Sequence, residues 1–235
     1  MTHDSPPTAP PQGGAPSADW GEVRSRFDAP AVRIGPHWFF NLLNDPKRLG
    51  FVLSRYKFAA KMIPSGSRIL ELGCSDGVGI PILAENAGAY TGVDLDEEAV
   101  EVARANWEDE RTRFAAVNFL DRGFGEFDAV VSLDVIEHIE PAHEERFLKT
   151  VWGNLGADGM CVVGTPCVTS EAYASEASRL GHVNLYDAGR LRAGIGRIFH
   201  NVFIFSMNDE VVHTGFTPMA HYLLALGCFK REEFA

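Results

Sequence analysis

The chain has 235 residues, of which 46% are hydrophobic, so it can bury one substantial core and little more. Its formal net charge of −11 disfavours a nucleic acid as partner, because nucleic-acid binding usually requires a basic face. Every apolar run is shorter than the roughly 18 residues that a membrane-spanning helix requires, and the first residues lack the apolar segment of a signal peptide. We therefore expect a soluble, cytoplasmic protein without membrane insertion.

The first 18 residues differ in composition from the rest of the chain. They hold five prolines and almost no large apolar side chains. Such a segment cannot bury enough surface to offset the entropy lost on ordering. The composition predicts a disordered tail over residues 1–18 and a single domain over residues 19–235.

The first strongly predicted helix follows this region. Asp45 offers a capping carboxylate and Pro46 stands in the first turn, which is typical of a helix start. The helix is expected to run to about Met62, because Pro64 and Gly66 disfavour its continuation.

A glycine-rich stretch comes next, at residues 71–79, with the sequence Glu-Leu-Gly-Cys-Ser-Asp-Gly-Val-Gly after the apolar pair 69–70. Closely spaced glycines let a strand turn sharply and let a ligand approach main-chain N–H groups. Glu71, two residues before Gly73, suits a ligand with a positive or donor-rich end. A plain strand-to-helix connection can use the same residues, so this loop alone leaves the function open.

Three further strands are predicted, at residues 90–94, 114–117 and 127–133. Asp94 ends the first of these about 20 residues beyond the glycines, where an acid can accept hydrogen bonds from two ribose hydroxyls. The last strand leads into the segment 134–139. Strands that alternate with helix-like segments predict a parallel α/β sheet with its site at the carboxyl ends of the strands.

The second half of the chain continues this alternation. Capping residues predict helices after Asp96 and Asp187, and Pro141 is expected to open another helix. The remaining strands are predicted at residues 160–164, 201–206 and 220–228. The polar and aromatic connection 207–218 is either a substrate lid or a solvated hairpin.

With these motifs the chain resembles the class I S-adenosylmethionine-dependent methyltransferases over about residues 45–230. The glycine loop matches the family's first motif, Asp94 its ribose-binding acid and residues 132–138 its fourth motif, and residues 155–159 resemble its turn before strand five. Ser75 departs from the pattern, because the family commonly has a glycine there. The resemblance implies a Rossmann-like, doubly wound α/β sheet of seven strands in the order 3-2-1-4-5-7-6, with strand seven antiparallel.

The resemblance also implies S-adenosyl-L-methionine as the cofactor. Asn118 and Phe119 fall where the family contacts adenine, and Arg55 or Tyr56 falls where it meets the methionine carboxylate. An ordinary amphipathic helix with a solvated arginine is the alternative for Arg55. The full set of expected cofactor residues is Arg55, Tyr56, Glu71, Gly73, Cys74, Ser75, Gly77, Asp94, Leu95, Asn118, Phe119, Ser132 and Asp134.

The segment after the fourth strand holds the candidate catalytic residues. Asp134, Glu137 and His138 have i, i+3 and i+4 spacing, so a helix starting at Asp134 would project them to one side. Two carboxylates and an imidazole form either an acid/base cluster or part of a divalent metal site. His182, which follows strand five, is expected at the same rim, and His138 and His182 are the predicted catalytic residues.

A narrower resemblance bears on the metal. Metal-dependent 2′-O-methyltransferases of small-RNA ends and O-methyltransferases of the coenzyme Q pathway carry Glu-x-x-Glu-His where this chain begins with Asp134. That resemblance implies a divalent metal ion held by Asp134, Glu137, His138 and His182. Metal-free family members keep Glu-His as a structural helix start, so the metal remains an open alternative.

We expect methyl transfer to a hydroxyl of a small-molecule acceptor such as a sugar, a glycolipid intermediate or a natural product, since a hydroxyl gains most from a base or a metal. A nicotinamide dehydrogenase would need a glycine at Ser75, and a nucleoside triphosphatase would need Gly-Lys-Ser/Thr after the loop. A non-catalytic S-adenosylmethionine-binding regulatory protein and a metal-dependent RNA 2′-O-methyltransferase remain as alternatives. The oligomeric state is open, with a homodimer as one alternative.

Overall fold

The computed structural model describes residues 18–27 and 31–234, and its contacts divide the chain into a unit that ends at Val32 and a unit that begins at Arg33. In the first unit, helix α1 covers Ala18–Ser25. The predicted tail lies outside the described residues except for Ala18, which begins α1. The domain boundary expected at residue 19 therefore stays a prediction.

The second unit alternates helices and strands. Its helices are α2 (Pro36–Asn44), α3 (Arg48–Met62), α4 (Ile80–Leu83), α5 (Glu97–Trp107), α6 (Glu144–Gly153), α7 (Glu176–Gly181) and α8 (Ala188–Ile195). Its strands are β1 (Arg68–Leu72), β2 (Ala89–Asp94), β3 (Thr112–Ala116), β4 (Phe127–Leu133), β5 (Leu155–Pro166), β6 (Phe199–Asn208), β7 (Val211–His213) and β8 (Tyr222–Lys230). Within the described residues, no helix is both long and apolar enough to cross a membrane.

The strands form one sheet in the order β3-β2-β1-β4-β5-β8-β6-β7. Pairs from β3 to β5 are parallel, whereas β8 runs antiparallel to both β5 and β6. The predicted doubly wound α/β fold is confirmed, and β8 takes the place of the predicted seventh strand. The sheet has one strand more than expected, because residues 211–213 fold back on β6 as a short hairpin strand. Asp209 makes this turn with φ of 49°.

Apolar side chains cover both faces of the sheet, as a parallel sheet between helix layers requires. In β1, Leu70 and Leu72 belong to one buried cluster, which also contains Phe147 and Leu148 of α6. Ile69 belongs to the other cluster, with residues of α3 and α5. The polar ends of the strands are therefore left at the edges of the sheet, where a ligand can reach them.

Local capping was predicted correctly at two helices and wrongly at a third. Asp96 accepts a hydrogen bond from the Ala99 N–H, and Asp187 accepts one from the Arg190 N–H, as expected. The helix start predicted at Asp45 is wrong, because its N–H donates to the Asn41 carbonyl and closes α2 instead.

Candidate active site

The glycine loop turns through three residues with positive φ: Gly73 (86°), Ser75 (48°) and Gly77 (81°). A Cβ atom on Gly73 would lie 2.2 Å from Cγ2 of Val135, so this position requires glycine for space as well as for conformation. Ser75 adopts the left-handed conformation that glycine adopts most readily. Serine is tolerated there at a modest cost in backbone strain.

Asp94 lies directly beside this loop. Its Oδ2 accepts a hydrogen bond from the Ser75 N–H at 2.8 Å, and its Oδ1 accepts one from the Asp96 N–H at 3.0 Å. Each carboxylate oxygen retains a lone pair for a further donor. The next residue, Leu95, leaves 71% of its surface exposed. A held carboxylate beside an exposed apolar side chain fits the ribose and base of a nucleoside.

Glu71 lies behind the loop rather than in it. It is buried, and the hydroxyls of Tyr56 (2.7 Å) and Tyr90 donate to its two oxygens. Burial raises the pKa of Glu71 to about 7, although the two tyrosine hydrogen bonds act in the opposite direction. Tyr56 also packs so close to Gly79 that a Cβ there would lie 2.2 Å from its ring. The structure thus gives Glu71 and Tyr56 a supporting position, and their direct contact with a cofactor stays a prediction.

The other expected cofactor residues divide by exposure. Asn118 is exposed, and its Oδ1 accepts a hydrogen bond from the Leu120 N–H. Cys74, Phe119 and Ser132 are buried, and the Ser132 hydroxyl donates to the Leu72 carbonyl. The side chains of these three buried residues therefore fix the ends of the strands.

Arg55 and Asp134 form a half-buried ion pair. Nη1 of Arg55 donates to both carboxylate oxygens of Asp134 at 2.6 Å, and its guanidinium carbon lies 3.7 Å from the centre of the Tyr222 ring. Asp134 has φ of 60°, and a 3₁₀ turn over Ile136–His138 follows it. The condition of an α-helix that starts at Asp134 is therefore not met, since Asp134 is left-handed and only a 3₁₀ turn follows it. Whether Arg55 also meets the cofactor stays a prediction.

His138 and His182 lie close together in space although they are far apart in the sequence. Gly181, which precedes His182, contacts His138 across a separation of 43 residues. Their ring centres are 5.0 Å apart with an angle of 74° between the planes. Nδ1 of His138 lies 2.9 Å from the Gly181 carbonyl oxygen. Because a carbonyl oxygen can only accept, Nδ1 carries the hydrogen, and Nε2 of the neutral ring is left as an acceptor. Burial lowers the pKa of His182, and His138 lowers it further.

Glu137 lies beneath this pair and is completely buried. Thr165 donates to Oε2 at 3.0 Å, whereas Oε1 has no hydrogen-bond partner within the described part of the chain. Burial, and next the charge of Asp134, raise the pKa of Glu137 to about 8. The Glu137 carbonyl accepts a hydrogen bond from the Asn184 N–H, which ties the His182 loop to this turn.

One ligand atom from each of Glu137, His138 and His182 can be chosen so that all three lie within 4.8 Å of one another. Asp134, the fourth residue of the predicted metal set, lies outside this group. Both carboxylate oxygens of Asp134 accept hydrogen bonds from Arg55. The role of these residues as metal ligands stays a prediction.

A cavity of about 300 Å³ opens beside the histidine pair. His182 and Asp134 line it together with residues of α3, of the segment 166–185 and of the start of β8. A volume of this size is at the lower end of the range for small-molecule sites.

Sequence reasoning missed several residues of this cavity. Arg48, Phe51 and Tyr222 line it, and the i, i+3, i+7 spacing of Arg48, Phe51 and Arg55 was a signal that could have found the first two. The aromatic run Trp38, Phe39 and Phe40 of α2 is absent from the described lining.

Comparison with known proteins agrees with this geometry. Residues 69–159 match the family model of a methyltransferase domain. This segment of the chain is therefore similar to a methyltransferase domain. The matched segment runs from β1 into β5 and contains the glycine loop, Asp94 and the Glu137-His138 turn.

Curated relatives are distant. The ubiquinone biosynthesis O-methyltransferase of Caulobacter sp. (strain K31) is 28% identical over 169 residues, which are 67% of this chain and 62% of that protein. The mitochondrial ubiquinone biosynthesis O-methyltransferase of Arabidopsis thaliana is 31% identical over 144 residues, which are 56% of this chain and 44% of that protein. The chain thus spans less than two thirds of the length of these relatives.

Solved structures share the fold. The N-methyltransferase NodS from Bradyrhizobium japonicum WM9 superposes with a TM-score of 0.57 at 19% identity, covering 81% of this chain and 99% of that one. A TehB-like S-adenosylmethionine-dependent methyltransferase from Corynebacterium glutamicum gives a TM-score of 0.58 at 20% identity, covering 75% and 88%. At these identities the likeness extends to the fold alone.

Proposed function

We propose that this chain binds S-adenosylmethionine at the glycine loop and transfers its methyl group to a hydroxyl oxygen of a small molecule. The observation that carries the proposal is the convergence of His138 and His182 over buried Glu137, beside a cavity at the carboxyl end of β4. Methyl transfer to a hydroxyl needs a group that takes up a proton, and these are groups of that kind.

The bound cofactor would supply an activated methyl group on sulfur. The chain itself has three tasks: to hold the cofactor, to align the acceptor and to remove the proton. Asp94 and the main-chain N–H groups of the loop perform the first, and the cavity wall performs the second. His182 takes the acceptor's proton, because its lowered pKa keeps the imidazole neutral near neutral pH.

The names of the Caulobacter and Arabidopsis relatives support oxygen as the methylated atom, since both are O-methyltransferases. A small-molecule acceptor fits the cavity volume, and the net charge of −11 disfavours the RNA alternative. Cytoplasmic location and the oligomeric state stay predictions.

Two measurements on the purified chain test the proposal. Calorimetry should show binding of S-adenosylmethionine and S-adenosylhomocysteine. Transfer of a labelled methyl group should then be found for a hydroxyl compound in a cell extract or a panel of sugars, phenols and lipid intermediates. Cofactor binding without transfer to any fraction would favour the non-catalytic alternative, and absence of cofactor binding would refute the proposal.

A metal-assisted form of the reaction is the second candidate. The carboxylate oxygen of Glu137 that lacks a described partner, and the His138 ring whose Nδ1–H is held by a backbone carbonyl, are both typical of metal ligands. Glu137, His138 and His182 would hold the ion, which would act as a Lewis acid on the acceptor hydroxyl.

Chelation separates the two forms. If a metal is used, a chelator should abolish transfer, magnesium, manganese or zinc should restore it, and Glu137→Gln should weaken metal binding measured by calorimetry. If His182 acts alone as a base, the chelator should leave transfer unchanged, and the rate should rise with pH as the imidazole loses its proton.

A further inference from the structure

One face of α3 forms a wall of the cavity. Arg48, Phe51 and Arg55 all line it, at i, i+3 and i+7, which places them on the same side of the helix. Two turns separate the two arginines, a rise of about 10 Å. The wall therefore presents two guanidinium groups with an aromatic ring between them.

The two arginines differ in their partners. Arg55 is paired with Asp134. Arg48 is half-buried, and within residues 33–234, as far as they are described, no carboxylate lies within ion-pair distance of it and no side-chain hydrogen bond is made by it. A guanidinium that lines a cavity and has no ion-pair partner there is available to bind an anionic ligand.

None of the other charged groups in the described lining forms an ion pair with Arg48. Asp45 lies 3.8 Å from Lys47, and Glu171, Asp209 and Arg179 are exposed to solvent at the rim. Deeper in the wall, two buried donors also lack partners within the described residues. These donors are Nε of Arg55 and the hydroxyl of Tyr222. The buried part of the lining is thus rich in donors, and the guanidinium of Arg48 has no ion-pair partner among the described residues.

We infer that the acceptor is a hydroxyl-bearing organic anion, whose oxyanion group binds Arg48 and whose apolar body lies against Phe51. The inference rests on the proposed function, since it names the substrate class of the same site. His182 lines the same cavity, so an acceptor anchored at Arg48 can present its hydroxyl to that imidazole. Arg48 is then a specificity-determining residue of the reaction.

The test compares 3-hydroxybenzoate with 3-hydroxybenzamide, which differ mainly in the charge of one group. Binding is measured by ligand-detected NMR on protein saturated with S-adenosylhomocysteine. The acid should bind about tenfold or more tightly than the amide, the effect of a hydrogen bond to a charged group. Arg48→Gln should abolish this preference and Arg48→Lys should keep part of it. Lys57→Gln, an exposed charge on the same helix outside the cavity lining, should keep all of it.

The methionine carboxylate of the cofactor is the other source of an oxyanion, and calorimetry with S-adenosylhomocysteine distinguishes the two. Unchanged affinity in Arg48→Gln supports the acceptor, whereas a tenfold loss assigns Arg48 to the cofactor and overturns the inference. Equal binding of acid and amide, or no binding of the acid at millimolar concentration, overturns it as well. Wild-type protein that binds no S-adenosylhomocysteine would instead refute the proposed function.

Discussion

The site has two parts, the proposed cofactor side (the glycine loop, Glu71 and Asp94) and the proposed acceptor side (Arg55, Glu137, His138, His182 and Tyr222). They differ in how completely their polar groups are satisfied. On the cofactor side, main-chain N–H groups hold Asp94 and two tyrosines hold Glu71. Five buried side-chain atoms lack partners within the described residues, and three of them belong to the acceptor side. One, Oδ1 of Asp76, belongs to the glycine loop.

This difference indicates two kinds of binding region. The cofactor side is organised before any ligand arrives, because Asp94 and Glu71 are each oriented by two hydrogen bonds from within the chain. The acceptor side leaves Glu137, Arg55 and Tyr222 each with one unsatisfied atom, which is costly unless a ligand or an ion provides the missing partner. Substitutions in the two regions should therefore have different consequences.

The largest effect is expected on the acceptor side. His182→Ala should lower turnover by roughly 10²-fold or more, the usual scale for loss of a general base, and should leave cofactor affinity intact. Single-turnover kinetics together with calorimetry measure both quantities. Near-normal turnover in this variant would remove His182 from the mechanism.

A smaller effect, on binding alone, is expected on the cofactor side. Asp94→Ala should weaken S-adenosylhomocysteine binding by about 5- to 150-fold, because ribose hydroxyls lose an acceptor worth about 1–3 kcal/mol. Asp96→Ala is the matched control, since its side chain caps α5 and should affect stability rather than affinity. Equal losses in the two variants would contradict the ribose-binding role of Asp94.

A third effect concerns stability within a pH window. The pKa of Glu71 in the folded protein is raised to about 7 from 4.5, so the folded state binds more protons than the unfolded state between these values. Stability should therefore fall as pH rises through this window. Glu71→Gln should remove a decline on the order of 3 kcal/mol, measured by denaturant unfolding at several pH values.

Between pH 7 and 8, stability should still fall as pH rises in both the wild-type protein and the Glu71→Gln variant. Both contain Glu137, whose pKa is raised to about 8. The informative quantity is thus the difference between the two curves. Parallel curves from pH 4.5 to 7 would mean that Glu71 does not titrate as its burial implies.

The smallest effect is expected outside both regions. Removal of residues 1–17 should leave the melting temperature and the turnover nearly unchanged, because a proline-rich polar segment contributes no hydrophobic core. Differential scanning calorimetry checks this, and a fall of several degrees would contradict it.

The same contrast explains how far the sequence could predict the molecule. The glycine loop and Asp94 are local motifs at the ends of neighbouring strands, so the residues themselves predicted a parallel α/β sheet with a site at its carboxyl edge. The strand order and the set of cofactor residues were implied by the family resemblance, and the cofactor residues stay a prediction. The turn at Asp134 could not be predicted, because a left-handed aspartate there depends on Arg55, which is 79 residues away. The hairpin strand β7 was missed because its three residues carry too little periodicity.

The acceptor side was predicted only in part for a similar reason. The convergence of His138 and His182 followed from their positions after adjacent strands, and the structure confirms it. The cavity wall formed by Arg48 and Tyr222 joins the start of α3 to the start of β8. Contacts over that sequence distance follow from tertiary packing rather than from local pattern.

A crystal structure with S-adenosylhomocysteine tests the central claim most directly. The account predicts ribose hydroxyls at Asp94 and the sulfur directed toward the cavity, with His138 and His182 within reach of an acceptor oxygen, directly or through one water. A ligand bound away from the glycine loop would contradict the account. So would a distance of more than about 10 Å from the sulfur to Nε2 of His138, since a base must come within hydrogen-bond reach of the proton it removes.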